Sequence, residues 1–599
     1  MNNYSVPKVI QSLKPKSIPC FVKAISTLSK AGVSTVHYYV YERVSVEDKK
    51  HPGKKKGTSG SCIGKIVGNT FYPNKVGLEK LGGSMSASES HASESDAKPK
   101  SSVQEQKLQE IANNMNLNMK DLDLQLKNYG EYAMVLACSD SVLRKLTKTF
   151  SSSDAAMIYV LSIIYFIEEY TPASYLKNIY DQSILSNYWP SLAISENKIG
   201  EFLEQLGLHP ALCDKYSQSL IDDSSGLTAI DGHVILTCSR INDLADYGNK
   251  YQKLGNKQMN VLQAYDAEKK TPLTSKAYDG ALLDKMSVED LLSLHSFPQK
   301  TVFLIDMGFY SEKDLGLYRE GGKHFVIPLP DHTELSKALQ TDISFTDAFL
   351  YEKNGENKQK IQGQILYRET TVKEMEKLAY DMRKAEADKK NKEEADKTPA
   401  DQKPKKHYPR KQSESLYSED RLIMYRDVLM HDALVNEFRE QIGSDSEHTE
   451  ERLLKLEPTF GLIILRTNLE KNTYSPSAVY GNYKKRWTIE THYNFVENTI
   501  KFTGLQTENY SVMQGLAFLM IPVGQIKASF VRKLRESSSS YVSNMSIHEA
   551  LVKARYFKLS QRQDNTWHTT TATKKQMELL VNMGVDIAAD IKKFNDGVF

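Results

Sequence analysis

LTAIDGHVILTC (Leu227 to Cys238) and TVFLID (Thr301 to Asp306) are the two stretches whose reading decides the fold. Both are rich in β-branched and aliphatic residues, and both carry an aspartate where an apolar strand should have none. Burying an aspartate as an ion is costly unless it meets a cation. Taken singly, each has a structural reading: Asp231 precedes the turn-former Gly232, and Asp306 closes its strand. Taken together on neighbouring strands, they offer the all-oxygen donor set that Mg²⁺ or Mn²⁺ prefers.

Between these stretches lie two further strands, NVLQAYDA (Asn260 to Ala267) and TPLTSKAYD (Thr271 to Asp279), separated by turn residues Glu268 to Lys270. An amphipathic helix over Leu283 to His295 follows, and HFVIPLP (His324 to Pro330) is a fifth strand. Three antiparallel-capable strands, a helix, a strand ending in Asp and another strand is the order of an RNase H-like α/β core.

The surrounding residues resemble the DDE transposases, specifically insertion-sequence family four. Asp306 followed by Met-Gly-Phe resembles that family's strand-end aspartate, and Tyr247 to Lys285 resembles the segment between its first two acidic residues. The family's third carboxylate sits in a Tyr-x-x-Arg-x-x-x-Glu helix, and YKKRWTIETHYNFVENTIK supplies Tyr483, Arg486 and Glu490 at that spacing. At 100° per residue these three and position 497 fall within about 60° of one another. Ile489, Tyr493, Val496 and Ile500 form an adjoining apolar stripe for packing on a sheet. The family has a lysine at the position of Glu497; Lys501, one turn further, could reach back in its place.

The resemblance covers about Gly226 to Gly584 and implies metal-assisted DNA cleavage and strand transfer at the ends of the element's own sequence. Asp231, Asp306 and Glu490 would be catalytic and would hold two Mg²⁺ or Mn²⁺ ions about 4 Å apart. Tyr483, Arg486, Trp487 and Lys501 would contact DNA, Trp487 by stacking on an unpaired base, although a tryptophan there can equally be core. His233 is a packing or supporting residue beside Asp231. The implied partners are double-stranded DNA, at the transposon ends and the target, and a second copy in a homodimeric DNA complex. Two other functions stay open: a catalytically impaired, transposase-derived DNA-binding protein, which Glu497 allows, and an RNase H-like nuclease without strand transfer.

Working outward, residues 1–83 form a small β-rich N-terminal region, with STVHYYVYERV (Ser34 to Val44) its clearest strand. Residues 84–102 hold eight serines in 19 positions and read as a disordered linker. Residues 103–224 are helical and a possible DNA-binding domain; a plain helical bundle fits equally well. Within them, Ser195 offers an N-cap, Ile199, Phe202, Leu203 and Leu206 repeat at helical spacing, and Gly207 reads as the stop. Residues 225–330 are the first part of the catalytic core. Residues 331–475 are a β-containing insertion with strands at Lys360 to Glu369 and Phe460 to Asn468, interrupted by a charged linker at 384–411. Residues 476–599 complete the core and end helical.

The 599 residues carry 78 Lys and Arg against 75 Asp and Glu, a net charge of +3. A globally basic coat protein is thereby excluded, and any DNA contact must be a local patch. Candidates are Lys49, Lys50, Lys54, Lys55 and Lys56, and the run Lys484, Lys485, Arg486. Five cysteines without a CxxC pair exclude a zinc ribbon and a disulfide framework. The longest apolar run, Ala155 to Ile167, is 13 residues, short of a bilayer span, and reads as a buried helix. With no apolar segment near Met1, a cytoplasmic, nucleoid-associated bacterial protein without membrane contact is expected.

Overall fold

The computed structural model describes residues 20–28, 34–47, 55–67, 70–73, 123–169, 171–237, 244–246, 257–280, 284–354, 360–397, 405–409, 415–499 and 509–599. The serine-rich linker 84–102, Lys49, Lys50, Lys54 and Lys501 lie outside the described residues. The chain divides into two compact units, Met1–Leu108 and Gln109–Phe599.

The first unit carries an antiparallel sheet of β1 (Cys20–Leu28), β2 (Ser34–Glu47), β3 (Lys55–Val67) and β4 (Thr70–Pro73) in sequential order. Cys20, Val22, Val40, Ile63 and Ile66 form its small core.

The second unit is mixed α/β. After β5 (Asp123–Asn128), its main sheet is assembled from β6 (Leu227–Thr237), β7 (Lys257–Asp266), β8 (Thr271–Asp279), β9 (Val302–Ile305), β10 (His324–Pro328), β11 (Asp347–Asn354), β12 (Lys360–Thr371), β13 (Arg421–Asp427) and β14 (Leu462–Thr467). The strand order is β11-β12-β13-β14-β10-β9-β6-β7-β8. β6, β7 and β8 pair antiparallel, whereas β6, β9 and β10 pair parallel. The parallel register sets Ile230 opposite Ile305, so Asp231 and Asp306 follow side by side at the same end of neighbouring strands.

Strand alternation then fixes which face each aspartate joins. Ala229, Val302 and Leu304 share a core with Tyr483, Ile489 and Tyr493, whereas Ile230, Phe303 and Ile305 face the other, larger core. Asp231 and Asp306 keep step with the first set and so point toward the helices that follow residue 475.

The larger core is organised by the helix Tyr510–Arg535. This described helix is long and apolar enough to cross a bilayer, but 72% of its apolar window is buried inside the protein. The run Ala155 to Ile167 is buried throughout, in the helix Ser152–Glu168. Ser195 caps the helix Glu196–Leu208 by accepting from the Lys198 amide, as the sequence predicts. Gly207 is not its stop. It lies within the helix, where a Cβ would stand 1.9 Å from the Ser511 carbonyl oxygen. Gly515 approaches the Leu203 carbonyl in the same way, so paired glycines let two helix backbones touch.

The helical segment thus shares a core with the chain's C-terminal third instead of standing apart. A small sheet reinforces this: β5 pairs with β15 (Lys558–Arg562), which pairs with β16 (Trp567–Thr569). The insertion is likewise continuous with the main sheet, because β14 pairs with β10. Fully buried Arg466 strengthens that join, reaching Asp420 at 2.9 Å and Glu312 at 2.6 Å. Residues 384–397 of the expected charged linker are helical, closing the helix Val372–Lys397. Their Ala, Glu and Lys content favours helix, and Glu386 pairs with Lys390 one turn on at 2.7 Å.

Candidate active site

Ser475 starts the helix Pro476–Lys485 by accepting from the Ala478 amide, with Pro476 at the first helical position. At Arg486 the coil tightens: its amide donates to the Tyr483 carbonyl at 2.9 Å, and the Ile489 amide donates to the Arg486 carbonyl at 3.0 Å. The helix resumes over Trp487–Asn494 and widens to a π-turn over Phe495–Thr499. The uniform helical phase expected through residue 497 is therefore interrupted at both ends.

The first break leaves Arg486 and Glu490 one turn apart and in contact, Nη2 to Oε1 at 2.5 Å. The same Nη2 lies 3.4 Å from Asp306 Oδ1, and Nη1 lies 3.8 Å from Asp231 Oδ2. Carboxylates separated by 75 and 184 residues in sequence thus surround one guanidinium. The Tyr493 hydroxyl donates to the Asp231 carbonyl at 2.7 Å, tying this helix to β6. The Gly232 amide donates to Asp231 Oδ1 at 2.9 Å and helps fix that carboxylate.

Electrostatics follow from burial. Burial pushes the Asp231 carboxyl up to about 6; Arg486 opposes the shift, while Asp306 and Glu490 reinforce it. Burial also works against the charge of Arg486, but Tyr483, Asp306, Glu490 and Asp231 together hold its pKa above the ordinary guanidinium value. Tyr483 is buried, with its ring centroid 5.7 Å from that guanidinium, and burial raises its hydroxyl to about 12. It supports Arg486 from beneath rather than opening to a ligand. Trp487 is 65% exposed, which removes the core reading and leaves its ring available.

His233 stacks on Tyr493 with ring centroids 4.9 Å apart, and its Nε2 stands 4.0 Å from Glu497 Oε2. Glu497 is drawn toward β6 by the π-turn. Lys485 pairs with Glu268 at the β7–β8 turn, and Lys484 lies over the Tyr480 ring. Neither is a bare cation, as the sequence run suggested. Tyr493 enters the sequence reading only as packing; its phenol, three residues after Glu490 on the same helix, gives no distinct signal.

Among the described residues, no three His, Cys, Asp or Glu side chains stand close enough together to hold a metal ion as placed. The reason is visible: a guanidinium occupies the space between the carboxylates. The donor chemistry nevertheless fits a hard divalent cation, since every convergent group is a carboxylate and no thiolate or imidazole competes among them.

Residues 223–521, about half of the chain, match the family model for the transposase DDE domain. The matched span contains all three carboxylates, and the match supports a DDE transposase, a class of DNA-cleaving enzyme. No curated protein matches significantly. Among solved structures, one similar chain comes from a cryo-EM structure of a piggyBac transposase synaptic complex with hairpin DNA. It is 9% identical, aligns over 78% of this chain and 81% of that one, and has a TM-score of 0.32.

Proposed function

We propose that this protein is a transposase of the insertion-sequence family four type, cutting DNA at the ends of its own element and joining those ends to target DNA. One observation carries the proposal: two adjacent parallel strands and a helix bring Asp231, Asp306 and Glu490 to a single cation. The order β8-β7-β6-β9-β10, antiparallel then parallel, supports an RNase H-like core beneath them.

Asp231, Asp306 and Glu490 would hold Mg²⁺ or Mn²⁺, expected as two ions. Bound there, the metal supplies activation of the attacking oxygen and stabilisation of the leaving one. The chain's own groups do the rest. With a pKa of about 6, Asp231 is mostly ionised at neutral pH and available as a ligand. Arg486, held by Tyr483 below and Glu490 beside it, offers two donors to a phosphate once the carboxylates have another cation to face. Trp487 offers a stacking surface at the edge of the site. Glu497 Oε2 lies 4.0 Å from His233 Nε2.

The test is incubation of purified protein with Mg²⁺ or Mn²⁺ and DNA carrying the element's inverted repeats. New 3′-OH ends are expected at the repeat boundary. Asp231→Asn should abolish them while binding to the same DNA persists, because affinity comes mainly from cations on phosphates. Cleavage by Asp231→Asn at the wild-type rate would sink the assignment.

A further inference from the structure

Beside the acidic cluster lies a cavity of about 1000 Å³ between the helix Gly130–Leu146, the β7–β8 turn, the helix Trp487–Asn494 and the C-terminal half of the helix Tyr510–Arg535. Its lining contains six Lys or Arg residues against three carboxylates. That local excess of three equals the net charge of the whole 599-residue chain.

The carboxylates are already engaged. Asp223 pairs with Lys145 at 2.7 Å, and Glu268 pairs with Lys485. Asp266 accepts from the Ser225 amide and hydroxyl and from the amides of Glu268 and Lys269. Among the described residues, Lys270, Lys527 and Arg532 have no carboxylate within ion-pair reach. Lys527 is the most telling of the three. Its ammonium sits 4.2 Å from the Phe495 ring centroid, and burial lowers its pKa to about 8. A cation desolvated over an aromatic face without a counter-ion gains most from an arriving anion.

The helix Trp487–Asn494 connects this cavity to the carboxylates. Measured around its axis from Glu490, Trp487 lies roughly 60° away, Thr491 roughly 100° and Thr488 roughly 160°. Thr488 and Thr491 line the cavity, and exposed Trp487 stands between them and the acidic face. We propose that the cavity is a phosphate-binding channel for the DNA strand that continues from the acidic cluster past Trp487, with Lys270, Lys527 and Arg532 as its backbone contacts. This rests on the transposase reading of the neighbouring site.

The probe is a fluorescent DNA duplex of about 30 base pairs and arbitrary sequence, titrated by anisotropy across a salt series. A single strand of the same length and inorganic tripolyphosphate serve as further arms. The variant Lys270→Asn/Arg532→Gln removes two cations from exposed positions, and Asn tolerates the positive φ of 57° at residue 270. Its salt slope should fall by about 1.8 on the duplex, or about 1.4 on the single strand, with unchanged melting temperature. Lys360→Gln/Lys390→Gln, which removes two paired surface cations outside the cavity, should leave the slope within about 0.5 of wild type. An unchanged slope in the cavity variant, or an equal fall in the control pair, overturns the proposal. So does loss of tripolyphosphate binding with DNA affinity intact, which would mark a small-anion site. Asp231→Asn separates this from the neighbouring reading. If it still cleaves while the cavity variant loses slope, the acidic assignment fails and the channel stands.

Discussion

Replacing Arg486 by glutamine tests the relation between the guanidinium and the three carboxylates directly. Arg486 is 12% exposed in its side chain and lies 2.5 Å from Glu490, 3.4 Å from Asp306 and 3.8 Å from Asp231. At an effective dielectric near 20, the three attractions are roughly 4 to 7 kcal/mol each before desolvation and carboxylate repulsion are subtracted. Removing one partner of such a buried cluster typically costs about 3 to 5 kcal/mol, and we expect about 3 kcal/mol for Arg486→Gln. The assay is urea unfolding at pH 7.5 in EDTA. At pH 5 the deficit should shrink to about half, because Asp231, already pushed up to about 6, protonates more readily without its cation. Millimolar Mn²⁺ should erase it, since a divalent ion replaces the lost charge. Calorimetric titration should then show Mn²⁺ binding at least about tenfold tighter than in wild type, where the guanidinium must first be displaced; tenfold corresponds to about 1.4 kcal/mol. Cleavage should nevertheless fall by about 100-fold, for want of a phosphate donor. Wild-type stability in EDTA together with unchanged Mn²⁺ affinity would refute the reasoning, because Arg486 would then not be the counter-charge of the acidic cluster.

Asp231→Asn should become more stable relative to wild type as pH rises. The folded pKa of about 6 lies above the unfolded value of about 3.9, so the protonated carboxyl stabilises the fold below pH 4 and that contribution is lost through pH 6. The asparagine advantage should therefore grow between pH 4 and pH 7 in metal-free buffer, to at most about 3 kcal/mol, less what Arg486 loses as a partner; a pH-independent difference in urea midpoints contradicts the burial argument. Gly515→Ala should cost about 2 to 4 kcal/mol, because its Cβ would stand 2.3 Å from the Leu203 carbonyl oxygen and force two helices apart. Gly200→Ala, in the facing helix with nothing within 4 Å, should instead stabilise by up to about 1 kcal/mol, and thermal melting of the pair separates packing from propensity.

How far the sequence reveals this arrangement depends on what each element needs. β8 coincides with the expected Thr271 to Asp279, and β6 follows the expected strand from Leu227 to Thr237, Cys238 lying outside the described residues, because alternation and turn residues are local signals. β11 and β13 give no such signal: DAFLYEKN and RLIMYRD are short, flanked by charge, and become strands by pairing, β11 with β12 and β13 between β12 and β14. Gly207 is misread because a C-terminal stop and a close helix contact call for the same residue. Asp231, Asp306 and Glu490 stand out in the sequence as candidates, but their convergence depends on a parallel register between β6 and β9 that no local pattern encodes. The helical stretch from Pro476 to Thr499 shows the limit most clearly. Ile489 and Tyr493 belong to the core on one side of the sheet, whereas Phe495 and Val496 belong to the larger core on the other. A regular helix cannot serve both, and the π-turn at Phe495–Thr499 makes the change of face. A helical wheel, which assumes constant rotation, therefore places Glu497 beside Glu490, while the structure turns it toward His233. Arg486 and Glu490, one turn apart, nevertheless remain in contact at 2.5 Å. One guanidinium within reach of three carboxylates can serve as their counter-charge without metal and as a phosphate donor once metal takes that role. On the proposed function, the same side chain would link metal occupancy to DNA engagement.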